Sequence, residues 1–325
     1  MNRIAKASVR ERKMVFETAA SKLKIPVEMI EKDFWVCWIL KKLFSNKCLA
    51  DILRFKGGTS LSKAFHLIKR FSEDIDLILD WRCVTSENPL ETRSNSKQDL
   101  FNKDIQNISG TYISTTLCKM IADTIGEECS VAADPADPHV LLVKYPESFP
   151  KSYITPHIKL EIGPLASWIP NDKFAIETFV GEALPELQIS QFSLPVILAE
   201  RTFWEKVTIL HQEHHRPEHL SVPLRYSRHY YDLFMMSKAD FFESVLSNLD
   251  LLRDVVEFKK KFYPRGWARY DLAVPGSIRL CPASHSEKAL REDYKAMRNM
   301  IFGDYPSWDE ICQKLNSMEM QINQC

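Results

Sequence analysis

The tightest constraint on this chain is a short passage in which strand, turn, helix and strand follow one another with little slack. Residues 49–56 have strand character that stops at the paired glycines Gly57-Gly58. Residues 60–69 suit a helix, with Leu61, Ala64, Phe65 and Ile68 recurring on one side. Residues 72–79 return to a strand in which Ile75, Leu77 and Leu79 alternate onto one face and Asp74 and Asp76 onto the other.

A strand that ends in two glycines exposes its backbone to close approach, because no side chain holds a ligand away. Thr59 and Ser60 add hydroxyls at the start of the next helix, where anions are favoured, so the turn suits a triphosphate. It matches neither common phosphate loop: there is no Gly-x-Gly-x-x-Gly, and Lys63 does not directly follow a glycine. Taken alone, a plain tight turn explains the glycines equally well. On the next strand the Asp74 and Asp76 carboxylates stand about 6.6 Å apart on one face. Like charges so placed repel unless a cation sits between them. Mg²⁺, which prefers oxygen ligands, is the natural candidate, and two ions about 3.5–4 Å apart clamp both attacking and leaving oxygens in phosphoryl transfer. The competing explanation is a solvent-facing edge strand, and the preceding glycine turn is what weighs against it.

A third carboxylate stands in His157-Ile158-Lys159-Leu160-Glu161-Ile162. Strict alternation there puts Lys159 and Glu161 on the face opposite the apolar residues. Beside the aspartate strand, Glu161 would complete a metal site or take a proton from an attacking hydroxyl; by itself the pattern is an ordinary amphipathic strand. Further on, Glu200–Lys206 reads as helix, with Thr202, Lys206 and Ile209 on adjoining positions. A lysine aimed at phosphates would offset charge on leaving pyrophosphate, and a surface salt bridge is the plainer alternative. Arg225-Tyr226-Ser227-Arg228-His229-Tyr230-Tyr231-Asp232 packs cations, aromatics and an acid together. His211, His214, His215 and His219 cluster, and His211 with His215 has the spacing of a zinc helix. Gln212 stands where a zinc protease would carry glutamate, and Pro217 ends the helix nearby, so a structural or RNA-facing role is favoured.

The rest of the chain supplies the frame. Residues 8–44 read as helices interrupted at Ile25-Pro26, with Met29, Ile30, Phe34, Trp35, Trp38 and Ile39 at helical spacing. The Trp and Phe stripes there are expected in the core. A polar stretch from Thr85 to Lys97 reads as loop, residues 100–125 as helix, and residues 140–145, 154–162, 174–180 and 187–192 as strands. From Val196 the periodicity is helical, and the last helix opens with a capping box, Ser307 and Glu310. The expected plan is α+β: a helical segment (1–45), a core with a mixed sheet (46–194, ending at Leu194-Pro195) and a C-terminal helical domain (195–325).

Of 325 residues, 45% are hydrophobic and 26% charged, ordinary for a globular protein. No run approaches the roughly 18 apolar residues of a membrane helix, and the basic start has no apolar secretory region, so no membrane partner is expected. The eight cysteines are scattered without a CxxC pair, which favours reduced thiols in a cytoplasm; Cys325, the last residue, does not fit a prenylation site. Net charge is zero, yet Lys6, Arg10, Arg12, Lys13, Lys22, Lys24, Lys32, Lys41, Lys42 and Lys47 crowd the first part. That permits a basic face for phosphates or RNA; a solvated helix surface explains it as well.

Together these pieces resemble the AbiEii/AbiGii-type nucleotidyltransferases, the toxin half of many type IV toxin–antitoxin systems, associated with abortive phage infection. The likeness rests on Phe55-Lys56-Gly57-Gly58-Thr59-Ser60-Leu61-Ser62-Lys63, Arg70-Phe71-Ser72-Glu73-Asp74-Ile75-Asp76-Leu77 and Ile158-Lys159-Leu160-Glu161. It continues through Arg201-Thr202-Phe203-Trp204-Glu205-Lys206, His211-Gln212-Glu213, Tyr226–Asp232 and Trp267-Ala268-Arg269-Tyr270-Asp271-Leu272-Ala273. The resemblance implies a DNA polymerase β-like core followed by a helical domain. By position, Gly57, Gly58 and Thr59 would hold the triphosphate, with Lys56, Ser60 and Ser72 completing the nucleotide-binding set. Asp74 and Asp76 would hold Mg²⁺, two ions being expected. Lys206 and Asp232 match a phosphate contact and its catalytic support, and Glu161 the third carboxylate. The implied reaction moves a nucleoside monophosphate from an NTP to a hydroxyl, with the 3′ end of tRNA as acceptor and a cognate antitoxin as partner. The alternatives are a protein or antibiotic acceptor, or a non-catalytic nucleotide-binding module.

Overall fold

The computed structural model describes residues 1–149 and 157–324. Residues 154–156 of one expected strand, and Cys325, lie outside them. The chain packs as two compact units, Met1–Phe65 with Phe71–Ile197, and His66–Arg70 with the chain from Leu198 onward. The first holds a mixed sheet, so the protein is α+β. Its strands are β1 (Leu53–Lys56), β2 (Ile75–Leu79), β3 (Ser130–Ala133), β4 (Val140–Lys144), β5 (His157–Gly163), β6 (Asn171–Ile176) and β7 (Phe192–Ile197). They run in the order β3-β4-β5-β2-β1-β7-β6. Pairings β2/β5 and β1/β7 are parallel and the others antiparallel.

The alternation of β5 is realised: Ile158, Leu160 and Ile162 are buried and Glu161 is exposed. In β2 it is broken, because Ile78, on the aspartate face, is buried beside Leu77 and Leu79. That face changes from carboxylate to core within one step along the strand.

Several expected boundaries move for local reasons. Residues 47–52 form a helix because the Asn46 side chain accepts from the Cys48 N–H at 3.0 Å, so the strand starts only at Leu53. The helix expected over 60–69 opens at Gly57 itself and ends at Lys63, and His66 takes a positive φ of 54°. Thr178 caps a helix, Phe179–Ala183, where a strand was expected. Residues 185–191 hold a turn ending at Gln188 (φ 51°), and the strand begins at Phe192. Leu194-Pro195 therefore lies inside β7, and the two units divide just beyond it. Strand β3, Ser130-Val131-Ala132-Ala133, carries little sequence signal, since Val131 stands alone among Ser and Ala residues of low strand preference.

The helix Val27–Ser45 is buried nearly all round, from Met29 to Leu40. Its Trp and Phe side chains are core: Phe34 packs at 5.5 Å from Phe16, and Trp35 stacks on Tyr145 at 5.7 Å. Three consecutive charges, Glu31, Lys32 and Asp33, are buried with them at 3%, 1% and 4% exposure, so Lys32 belongs to no basic surface. Glu31 accepts the Ser148 N–H at 2.7 Å, and Arg12 bonds the Ser148 hydroxyl at 3.2 Å.

The second unit is helical, with principal helices Ala199–His214, Ser227–Met236, Leu249–Phe262, Ser284–Ala296 and Trp308–Gln324. The last opens on the expected capping box between Ser307 and Glu310. Residues 66–70 join this unit: Arg70 bridges to Ile301, and the Phe302 N–H donates to the Lys69 carbonyl at 3.0 Å.

Candidate active site

In the first unit, register places the candidate residues in a row. Lys56 on β1 and Glu161 on β5 are the direct partners of Asp76 on β2, so all three face the same side. Asp74 immediately precedes β2, and strand alternation carried back one residue would put it on that side. Gly57, at φ 82°, follows Lys56, and a Cβ placed on it would run into the Asp76 carboxylate. Glycine is required there twice over, for backbone conformation and for this close approach. Gly57→Ala is expected to displace Asp76, costing about 1–3 kcal/mol of strain and reducing nucleotidyl transfer by at least about tenfold, since small misplacements at reacting centres are expensive. Paired thermal melts and transfer rates check this; a fully active variant would remove the glycine from the site.

The turn and the acid strand are tied together. The Thr59 hydroxyl, 2% exposed, donates to the Asp74 carbonyl at 2.5 Å, and the buried Ser60 hydroxyl donates to the Gly57 carbonyl at 2.8 Å. Both protons are thus committed within the protein, and these side chains shape the turn. Lys56, Gly58 and Ser72 are half-buried around it.

Burial pushes the Asp74 carboxyl upward, and the neighbouring acids Glu73 and Asp76 push it the same way, against Lys32 and Lys159. An acid so placed gains from a bound cation. Among the described residues no three His, Cys, Asp or Glu side chains converge closely enough to hold a metal ion. Glu161 is the direct neighbour of Asp76 in register. Two carboxylates still fit Mg²⁺, which keeps waters and substrate phosphates for its remaining positions.

In the second unit the helices Ala199–His214 and Ser227–Met236 bring Lys206 to Asp232. Lys206 Nζ lies 2.7 Å from Asp232 Oδ2. Arg70 grips the same carboxylate at 2.7 Å and 2.8 Å. All three are buried, Asp232 completely. This is a salt bridge, but an interior one rather than the surface pair that spacing alone suggests. Burial opposes the Asp232 charge, yet Arg70 and Lys206 outweigh it and hold the carboxyl far below its ordinary range. With both oxygens occupied, Asp232 orients its two cations and neutralises one. His229 Nδ1 lies 3.4 Å from Lys206 Nζ, and burial, with the nearby cations, pushes the His229 pKa well down; burial pushes Lys206 downward too, against the pull of Asp232.

In the sequence Arg70 stands out only as part of a motif. Its position directly ahead of Phe71-Ser72-Glu73-Asp74 was the available signal, but nothing local names Asp232 as its partner.

The histidine cluster is structural. His211 is buried; its Nδ1 accepts the Arg279 N–H at 3.1 Å, so Nε2–H donates to the Arg269 carbonyl at 2.9 Å. Burial pushes its pKa down to about 4. His214 and His215 donate to the Cys281 and His211 carbonyls, both at 2.8 Å, and His219 is exposed. Tyr270 of the Trp-Ala-Arg-Tyr run donates to Gln212 at 2.6 Å, so that run locks onto the same helix.

The glycine turn stands against the acid strand on the mixed sheet, where the sequence leads one to expect a nucleotide site. A family model described as the nucleotidyl transferase AbiEii toxin of type IV toxin–antitoxin systems matches residues 38–314. The chain belongs to this AbiEii family, and is accordingly a nucleotidyltransferase toxin. The solved structure of MenT4, a nucleotidyltransferase toxin from Mycobacterium tuberculosis H37Rv, is similar over 96% of this chain and 97% of that one, with 18% sequence identity and a TM-score of 0.45. No curated protein matches the chain. Among the described residues no helix is long and apolar enough to cross a membrane, and the cysteines Cys37, Cys48, Cys83, Cys118, Cys129, Cys281 and Cys312 are free.

Proposed function

We propose that the protein transfers a nucleoside monophosphate from an NTP to the 3′-terminal hydroxyl of a tRNA, stopping translation until a cognate antitoxin counters it. The observation that carries the reading is the register that sets Asp76 between Lys56 and Glu161 and against Gly57. The acceptor oxygen attacks the α-phosphorus in line, the α–β bridging bond breaks, and pyrophosphate leaves with the electron pair.

Asp74 and Asp76 are the residues that would hold Mg²⁺, whose charge stabilises the phosphate oxygens as they reorganise. The residues themselves divide the remaining work. Gly57 and Gly58 leave backbone open to the triphosphate, and Lys56 adds positive charge beside it. Exposed Glu161 is assigned the proton of the acceptor hydroxyl. For Lys206, supported by Asp232, the family likeness implies a phosphate contact. The same chemistry and the scattered free cysteines suit a cytoplasmic enzyme working beside its RNA.

The test is label transfer: the pure protein, Mg²⁺ and total tRNA, with each of the four NTPs labelled in turn on the α-phosphate. Label in the tRNA terminal nucleotide is the expected result. Label on the protein alone would move the acceptor to a side chain, and no transfer with any nucleotide would defeat the reading.

A further inference from the structure

Two consecutive side chains of the buried Val27–Ser45 helix reach the two halves of the candidate site separately. Lys32 Nζ lies 2.7 Å from Glu73 Oε2, and Glu73 immediately precedes Asp74. Asp33 Oδ1 lies 2.7 Å from Lys63 Nζ, at the far end of the helix that begins at Gly57. The other Asp33 oxygen accepts the Phe179 N–H at 2.8 Å, and the Lys63 ammonium sits 4.0 Å from the Phe179 ring centroid. Lys32, Asp33 and Lys63 are 1%, 4% and 6% exposed.

Adjacent residues on a helix point about 100° apart, so one turn of backbone directs two charges to two separate elements. Ion pairs buried this deeply are weak sources of net stability, because desolvation offsets most of their attraction; geometric specification is the use such pairs best support. A hydrophobic contact would hold these elements together but would not fix their register.

We infer that Lys32 and Asp33 form a brace that sets the glycine turn and the acid strand in mutual register, with Lys32–Glu73 positioning Asp74 and Asp33–Lys63 positioning the nucleotide turn. These are positioning residues. The inference rests on the site assignment made under Proposed function. The two pairs serve different halves, so their loss separates into different defects: the Asp33 pair acts on nucleotide binding and the Lys32 pair on turnover.

Single substitutions would leave a buried charge alone, so the test neutralises both members of a pair. Lys32→Met/Glu73→Gln and Asp33→Asn/Lys63→Met are compared with the full-length protein and with Asp76→Ala. Circular dichroism and thermal melts establish folding. Titration with each NTP and Mg²⁺ measures affinity, and growth arrest on expression measures function whatever the acceptor. The Asp33/Lys63 variant is expected to bind its NTP about tenfold more weakly, the scale on which lost preorganisation acts. The Lys32/Glu73 variant is expected to keep NTP affinity within about threefold while its growth arrest is lost, as for a misplaced reacting group. Lys32→Arg, which keeps the pair, is expected to retain growth arrest.

Folded neutral variants that both bind NTP and arrest growth as wild type would overturn the brace. So would equal loss of both properties in both variants, the outcome for general structural damage. If Asp76→Ala itself arrests growth like wild type, the site assignment fails instead, and that result is read independently of the other two.

Discussion

Replacing Asp76 by alanine should abolish growth arrest and lower nucleotidyl transfer by at least about 10²–10³-fold, the loss typical of removing one group preorganised around transition-state charge. The fold should survive. Asp76 is half-buried on β2 against Gly57, and its charge raises the cost of ionising Asp74. Removing it relieves its repulsion of the Asp74 carboxylate, so the melting temperature should stay close to that of wild type. Transfer to tRNA, growth arrest and a thermal melt on the same preparation check the set. A stable Asp76→Ala protein with wild-type toxicity would show that the toxic activity does not pass through this acid.

The second large effect lies in the helical unit and concerns stability first. Asp232→Ala strands Arg70 and Lys206 in the interior, and breaking a buried ion pair from one side costs about 3–5 kcal/mol. Asp232→Asn should recover little, because an amide cannot neutralise either cation. Adding Lys206→Met to Asp232→Asn should regain part of the loss by removing one of the stranded charges. The pH dependence has a definite sign. The folded-state pKa of Asp232 lies below its ordinary value of 3.8, so the unfolded chain binds this proton more readily than the folded one. The stabilisation is therefore complete above that ordinary value and drains away as pH falls through it toward the lower folded-state value. Denaturant titrations from neutral pH downward should show the wild-type advantage over Asp232→Asn shrinking in acid. An advantage independent of pH would mean that the Asp232 charge is not what stabilises the unit.

The local chemistry of the site is written locally. The glycine pair, the alternation of Asp74 and Asp76 against Ile75 and Leu77, and the alternation around Glu161 each depend only on near neighbours and the period of a strand. The α+β plan and the family likeness follow from the same short passages. The shortfalls lie where a distant partner sets the outcome. Asn46 and Thr178 turn expected strand residues into helix through single caps, and β3 exists because β4 offers it an edge to pair with. Thr59 and Ser60 look like ligand donors in the sequence, but the nearby Asp74 and Gly57 carbonyls take their protons once the turn closes.

The charged residues carry the same lesson. In the sequence Lys32 reads as one cation among many near the N-terminus, yet it is buried between Glu31 and Asp33. Three unlike side chains can all be buried only when each meets a partner, and those partners, Ser148, Glu73 and Lys63, come from other parts of the chain. Nothing in the spacing of Lys206, Asp232 and Arg70 brings them together either.

By itself the sequence determined which residues could do the chemistry: a glycine turn before a strand of paired acids, within an α+β chain of a nucleotidyltransferase toxin family. Only the tertiary structure decided how those residues are held, with Glu161 beside Asp76 by strand register, Lys206 inside a buried cluster, and one interior helix gripping both motifs. The physical reason is range. Backbone propensity and side-chain periodicity act over a few residues and are legible in order along the chain, whereas a buried charge is tolerable only where folding delivers its partner.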